Sequence, residues 1–316
     1  TELIKYWGYP VESYDVITED GYILNMIRIP HGRYHLNTSE CARSPILLIH
    51  GIFNDASVFI LNPPASSPAL ILADAGFDVF LPNSRGTTDS QRHVNISTKD
   101  VQFWRFTIDE MSRYDTPAAI DKALELSRAE SLYLLGHSQV SCNLKLLITK
   151  FHSETLKAYK WSLRSHEIGL NNHWLISRIV QIFCPSFIGE FLRDFLFLLL
   201  GPPARTFNMS REPVYLSNLL ISTSTWNLGV RNSIDHFDVS PTENLRRYRV
   251  SVAPPYNLSL ITSDVHLFWS RNDWLTLPSN VVYLEHHLNP GIIKGSTEIA
   301  DYNHGDYAIA TDNAER

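Results

Sequence analysis

The residues of this chain best suited to joint chemistry are a serine, an aspartate and a histidine set far apart in sequence. Ser138 stands in Gly136-His137-Ser138-Gln139. An apolar, strand-like run from Ser131 to Leu135 leads into it, and Val140, Leu144, Leu147, Ile148 and Phe151 follow at helical spacing. A serine at a sharp strand-to-helix turn is held in a strained backbone, so that its hydroxyl projects above the sheet. The helix start beyond it also favours negative charge developing nearby. The plainer alternative is an ordinary serine in a strand–helix loop, and a lone Gly-x-Ser would favour it.

A serine hydroxyl is a weak nucleophile and needs a base oriented by a third group. Where the nucleophile follows a sheet strand in this way, the chain order is serine, acid, histidine. Asp273 lies in Arg271-Asn272-Asp273-Trp274, just past the apolar run Val265–Trp269, where a strand-end carboxylate would sit. His304 lies in Asp301-Tyr302-Asn303-His304-Gly305-Asp306, after the last expected strand. Asp264, Asp301 and Asp306 are further candidate acids, and His286 and His287 further candidate bases; spacing alone puts Asp273 and His304 only modestly ahead. His50-Gly51-Ile52-Phe53 closes the first core strand. The amide after such a turn can face an oxyanion together with the amide after the nucleophile, which nominates the backbone N–H groups of Ile52 and Gln139. A tight turn ending a strand is the simpler account of that motif. No clustered His/Cys ligand set and no Gly-rich phosphate loop is present, so neither a metal nor another cofactor is expected.

The elements that must position these residues alternate. Tyr14 to Ile29 reads as two strands around the turn Glu19-Asp20-Gly21. Ile46-Leu47-Leu48-Ile49 is continuously apolar, as a strand buried on both faces requires. A helix over Ala69–Ala75 stops at Gly76, and Phe77–Leu81 forms the next strand. Asp115-Thr116-Pro117 predicts a helix with a capping carboxylate and an early proline, running to about Arg128. This alternation is the signature of a parallel α/β sheet. It fails from about Ser153 to Val230, which is rich in Leu, Phe, Trp and His and mainly helical in pattern. The expected organisation is a sheet domain in two pieces, 1–152 and 231–316, with a helical cap insertion over 153–230.

Composition bounds the partners. Net charge is −6, from 27 basic and 33 acidic residues, which argues against a nucleic-acid surface. Protonation of all 13 histidines would carry the balance from −6 to +7, so the charge reverses in mild acid. The strongest apolar run, Phe187 to Leu200, falls short of the roughly 18 residues of a membrane span and contains Glu190, Arg193 and Asp194. Three cysteines, Cys41, Cys142 and Cys184, allow at most one internal bridge. Asn37, Asn95, Asn208 and Asn257 are glycosylation sequons and lean toward a secretory route. The chain opens at Thr1 with no apolar leader, as a processed or trimmed chain does.

Several motifs resemble one family closely. They are Ile4-Lys5-Tyr6-Trp7-Gly8-Tyr9-Pro10, Thr18-Glu19-Asp20-Gly21-Tyr22-Ile23-Leu24, Arg28-Ile29-Pro30-His31-Gly32, Leu72-Ala73-Asp74-Ala75-Gly76-Phe77-Asp78-Val79, Asn83-Ser84-Arg85-Gly86 and the Ser138 turn. Together they are similar to the acid lipase family, the group containing gastric lipase and lysosomal acid lipase. The likeness is dense from Ile4 to Gln139 and resumes from Phe207 to His304. It implies an α/β-hydrolase fold, a mostly parallel central sheet flanked by helices with a helical cap. It further implies a triad of Ser138, Asp273 and His304, oxyanion amides at Ile52 and Gln139, and a neutral lipid ester as substrate at a lipid–water interface. A secreted or lysosomal location follows from the same likeness, and Phe187 to Leu200 would serve as lid or as plain core.

The chain also departs from the family pattern. Val140 stands where the family carries glycine, at a crossing where a branched side chain costs about 1–3 kcal/mol of strain. The stretch from Val140 to Asn208 is short, and the core strand expected after the Ser138 helix is not recognisable in it. A catalytically impaired, lipase-like protein binding an apolar ligand is therefore the alternative reading.

Overall fold

The computed structural model of this chain describes residues 1–34, 43–51, 54–138, 197, 200–207, 211, 214–215, 236 and 240–315. A short helix α1 (Glu2–Tyr6) precedes a hairpin of β1 (Glu12–Ile17) and β2 (Tyr22–Ile29), paired from Glu12↔Arg28 to Ile17↔Ile23. Gly21 supplies the left-handed turn, at φ +96°. Next come β3 (Pro45–Ile49), α2 (Pro68–Asp74), β4 (Asp78–Pro82), β5 (Arg92–His93), α3 (Ile108–Glu110), α4 (Thr116–Ser127) and β6 (Tyr133–Gly136). The later part holds α5 (Pro241–Tyr248), β7 (Val265–Trp269), α6 (Pro278–His287), β8 (Ile293–Glu298) and α7 (Asp306–Ile309). The alternation read from the sequence is therefore present, with most element ends displaced by a residue or two; the helix expected from Asp115 instead begins at Ile108, because α3 runs through a π-helical turn (Met111–Asp115) into α4.

The larger sheet runs β1-β2-β4-β3-β6, with β5 added to β2. β3 is parallel to both β4 and β6, while β2 is antiparallel to β4. All residues of β3 and β4 are buried, because both faces of the sheet are covered. Ile46, Leu48, Val79 and Leu81 face Ile4, Phe59 and Leu70 on one side. Leu47, Ile49 and Phe80 face Met26, Phe103, Met111, Ala119 and Ala123 on the other. The period of two thus divides one apolar run between two cores.

β7 and β8 form a separate parallel pair over a smaller core of Val265, Leu267, Val281, Leu284 and Leu288. Among the described residues no strand lies between β6 and β7, in keeping with the shortened sequence after Ser138. Tyr133 and Leu135 of β6 and Phe268 of β7 are correspondingly exposed. The expected cap over 153–230 lies largely outside the described residues. Its described part packs on the sheet domain: Phe197 meets Phe207 edge-on, Phe207 meets Tyr215, and Phe207 bridges to Ala310. Of the Phe187–Leu200 run, only Phe197 and Leu200 are described.

One expected cap is replaced by a tertiary contact. Asp115 does not cap α4 with its side chain. Its carboxylate instead accepts the backbone N–H of Arg85 at 2.9 Å and the Arg85 Nε–H at 2.7 Å. Arg85 is fully buried, also donates to both oxygens of Asp20, and stacks 4.0 Å from the Tyr22 ring centroid. Asp115 has no helix start to cap: it is itself helical (φ −69°, ψ −50°), the last residue of the π-helical turn that joins α3 to α4, and its carboxylate is the counter-charge that the buried guanidinium requires.

Candidate active site

β6 ends at Gly136 and the chain turns sharply. His137 N–H still donates to the carbonyl of Ile49 at 3.2 Å, extending the β3 ladder by one step. Ser138 then takes φ +60°, a left-handed conformation unusual for a residue with a side chain. Such strain persists only where the surroundings enforce it, and it is the backbone state expected of a projecting nucleophile. Gly51 makes room for it. A Cβ on Gly51 would lie 2.7 Å from Ser138 Cβ and 3.1 Å from the carbonyl oxygen of His137.

The structure brings Ser138, His304 and Asp273 into one hydrogen-bonded line. Ser138 Oγ lies 2.6 Å from His304 Nε2. His304 Nδ1 lies 2.9 Å and 3.1 Å from the two oxygens of Asp273. A carboxylate only accepts, so the ring proton sits on Nδ1 and leaves Nε2 free to take the serine proton. Asp273 also accepts the backbone N–H groups of Leu275 (2.9 Å) and Thr276 (2.7 Å). Both Asp273 and His304 are buried, which strengthens each of these interactions.

The competing candidates lie elsewhere or are otherwise engaged. Asp264 is exposed beside Lys294. Asp306 accepts the N–H groups of Asn303 (2.8 Å) and Ala204 (2.9 Å), and burial pushes its pKa up to about 6. Asp301 stands on the turn before His304, and the acid facing Nδ1 is Asp273. His286 and His287 are exposed on α6, the latter stacked on Tyr283. Ile52, Gln139 and Val140 lie outside the described residues, as do Cys41, Cys142, Cys184, Asn37 and Asn208. Asn95 and Asn257 are both exposed.

Two further histidines, His50 and His137, flank the line; in the sequence they stand only as members of the His-Gly and Gly-His-Ser motifs. His50 is fully buried, its Nδ1–H donating to the Gly51 carbonyl (2.9 Å) and its Nε2 accepting the Ser84 N–H (3.1 Å). Both ring nitrogens are thus satisfied in the neutral form, and burial holds the pKa below the usual histidine value. His137 donates from Nε2 to the carbonyl of His304 at 2.8 Å, with ring centroids 5.3 Å apart. Its Nδ1 is buried without a partner. Burial, then the neighbouring His304, pushes its pKa down to about 4. Apolar strands flanking His50 and His137 were the available signal that both rings are interior.

The likeness to known proteins extends over almost the whole chain. Residues 1–63 match the profile of a partial α/β-hydrolase lipase region, and residues 44–142 match that of the α/β-hydrolase fold. Lipase lipl-1 of Caenorhabditis elegans is 32% identical over 348 residues, covering 97% of this chain and 86% of that protein. Human lipase member J is 33% identical, covering 99% of this chain and 94% of that protein. Bovine gastric triacylglycerol lipase is 34% identical, covering 99% and 87%. The chain belongs to the acid lipase family. That is a family of carboxylic ester hydrolases with the α/β-hydrolase fold. Alignments to these members reach 348 to 351 positions against the 316 residues here, so part of their sequence has no counterpart in this chain. The fold likeness reaches further: the Bacillus subtilis carboxylesterase CesB superposes with a TM-score of 0.51 at 11% identity, covering 98% of this chain and 90% of that one. A bacterial membrane phospholipase A gives 0.52 at 16% identity, covering 99% and 86%.

Among the described residues no group of three His, Cys, Asp or Glu side chains is placed to hold a metal ion. Nor is any described helix long and apolar enough to cross a membrane.

Proposed function

We propose that this chain hydrolyses carboxylic esters of neutral lipids, triacylglycerols or sterol esters, through an acyl-enzyme on Ser138. The observation that carries this reading is the unbroken line Ser138 Oγ–His304 Nε2 and His304 Nδ1–Asp273. His304 takes the serine proton as Oγ attacks the ester carbonyl, and returns it to the departing alcohol. Asp273 fixes the ring tautomer and stabilises the imidazolium that forms in between. Water then attacks the acyl-enzyme by the same route and releases the fatty acid. The amides of Ile52 and Gln139 are the proposed oxyanion donors, and the buried His50 ring holds the Gly51 carbonyl that precedes the first of them. Kinship with lipases supports an apolar acyl chain and a lipid–water interface as the working partner. The exposed sequons Asn95 and Asn257 support glycosylation and a secreted or lysosomal location.

The test is hydrolysis of chromogenic acyl esters of graded length, together with triacylglycerol and sterol ester emulsions, across a pH series. Turnover by the wild-type chain that disappears in Ser138→Ala is the expected result. Binding of apolar ligands by a folded wild-type chain without any turnover would sink the proposal in favour of the impaired, ligand-binding reading that Val140 raises.

A further inference from the structure

The loops carrying Asp273 and His304 leave the sheet well before they reach those residues. The β7–β8 ladder ends at Trp269↔Glu298, and one more backbone bond joins Ile299 N–H to the Trp269 carbonyl at 2.7 Å. Strand pairing therefore cannot set the distance between the acid and the base. A different contact reaches both. The carbonyl oxygen of Leu200 accepts the N–H of Trp274 at 3.3 Å and the N–H of His304 at 3.1 Å. One acceptor thus holds the residue after Asp273 and the base itself.

Gly201 completes the junction. It adopts φ +102°, and a Cβ there would fall 1.8 Å from the carbonyl oxygen of Asn272. The Gly201 backbone therefore rests directly on the peptide that leads into Asp273. Its own carbonyl accepts Asn303 Nδ2–H at 3.2 Å, and Asn303 Oδ1 accepts the N–H groups of Gly305 (2.8 Å) and Asp306 (3.1 Å). Two residues outside both loops touch the acid loop on one side and the base loop on the other.

We propose that Leu200-Gly201 is a positioning element that sets the Asp273–His304 geometry, and that position 201 must be glycine for the acid loop to close on it. The inference rests on the hydrolase reading above. Backbone acceptors and an absent Cβ carry the work, so no side chain of the element enters the chemistry.

The test compares Gly201→Ala with Gly291→Ala. Gly291 has φ +92°, and a Cβ there would meet nothing within 4 Å, so its alanine bears the same left-handed strain without touching the site. Gly201→Ala should lower kcat by about 10²-fold with KM within about twofold, the scale of an ångström misplacement. Gly291→Ala should keep the wild-type kcat. A second readout does not need turnover: the far-downfield proton resonance of His304 Nδ1–H bonded to Asp273. It should be present in the wild type and in Gly291→Ala, and lost or moved upfield in Gly201→Ala. If the wild type turns over no ester, that resonance still decides the matter, which separates this inference from the proposed activity. If Gly201→Ala does not fold, Asn303→Asp removes the donor to the Gly201 carbonyl while keeping the Oδ1 acceptor, and kcat should fall about tenfold. Wild-type kcat with an unmoved resonance in folded Gly201→Ala overturns the proposal. So does a wild-type kcat in Asn303→Asp where the alanine variant fails to fold, or absence of the resonance from the wild type.

Discussion

His137 offers a measurement of what a buried neutral ring contributes across the acid range. Protonating it would place a second N–H at Nδ1, where the ring has no acceptor, and a charge beside His304. Its folded pKa is accordingly about 4 against an ordinary 6.5. The unfolded chain takes up a proton at this site from pH 6.5 downward, while the folded chain does so only near pH 4. The contribution to stability is therefore complete above pH 6.5 and is lost as the pH falls toward 4. The full loss is about 3 kcal/mol, of which about 2.5 kcal/mol is gone by pH 4.5. His137→Gln keeps an amide N–H for the His304 carbonyl and removes the titration. Packing lost with the ring is the same at every pH, so the informative quantity is the change in the variant–wild-type difference. Urea unfolding at pH 7 and pH 4.5 should show that difference moving in favour of the variant by about 2.5 kcal/mol. In thermal melts this is about 5 °C for a chain of this size. An unchanged difference at the two pH values would refute the assignment of His137 as a buried neutral ring.

Asp306 should behave in the opposite sense. Its folded pKa of about 6 lies above the ordinary 3.8, so the folded state binds the proton first and gains stability as the pH falls from 6 toward 3.8. Between pH 7 and 4.5 the wild type should gain about 2 kcal/mol relative to Asp306→Asn, read from the same urea curves. Arg85→Met strands the buried Asp115 carboxylate and should cost about 3–5 kcal/mol of unfolding free energy, read from urea curves. Gly51→Ala drives a methyl against Ser138 and should lower kcat/KM on a short acyl ester by about 10²-fold. Val140→Gly should raise the same kcat/KM, by as much as about 10²–10³ if the valine displaces the Gln139 amide, with Ser138→Ala as the blank.

Local chemistry was the legible part of this fold. The β1–β2 hairpin follows from Glu19-Asp20-Gly21 between alternating runs, and β3 and β4 from unbroken apolar stretches, because turn geometry and double-faced burial leave marks within a few residues. The Ser138 turn is of the same kind. Pairing of Asp273 with His304 was not legible to that degree. It depends on two loops meeting in space, so spacing left Asp264, Asp301, Asp306, His286 and His287 in play and only family likeness narrowed them. The cap expected of Asp115 failed because the helix already runs through it from Ile108, and the charge that claims its carboxylate, Arg85, arrives from another loop. The Leu200 carbonyl left no trace at all in the sequence, because every residue, proline included, presents the same backbone acceptor.

The register of β3 with β6 has a consequence in the time domain. Ser138 is held in its left-handed state by a strand that pairs Ile46 with Tyr133 and Ile49 with Gly136, and by the added bond from His137 to Ile49. These partners lie far apart along the chain, and pairings of that span form only after the loop between them has been closed. No nascent hairpin or isolated helix can therefore present an armed serine. During refolding, secondary structure and hydrophobic burial should run ahead, and ester cleavage or labelling by an acyl-transfer probe should appear only with docking of the β6 edge. On the proposed reading, Ser138 would then report the docking of β6 on β3 and stay silent until that pairing forms.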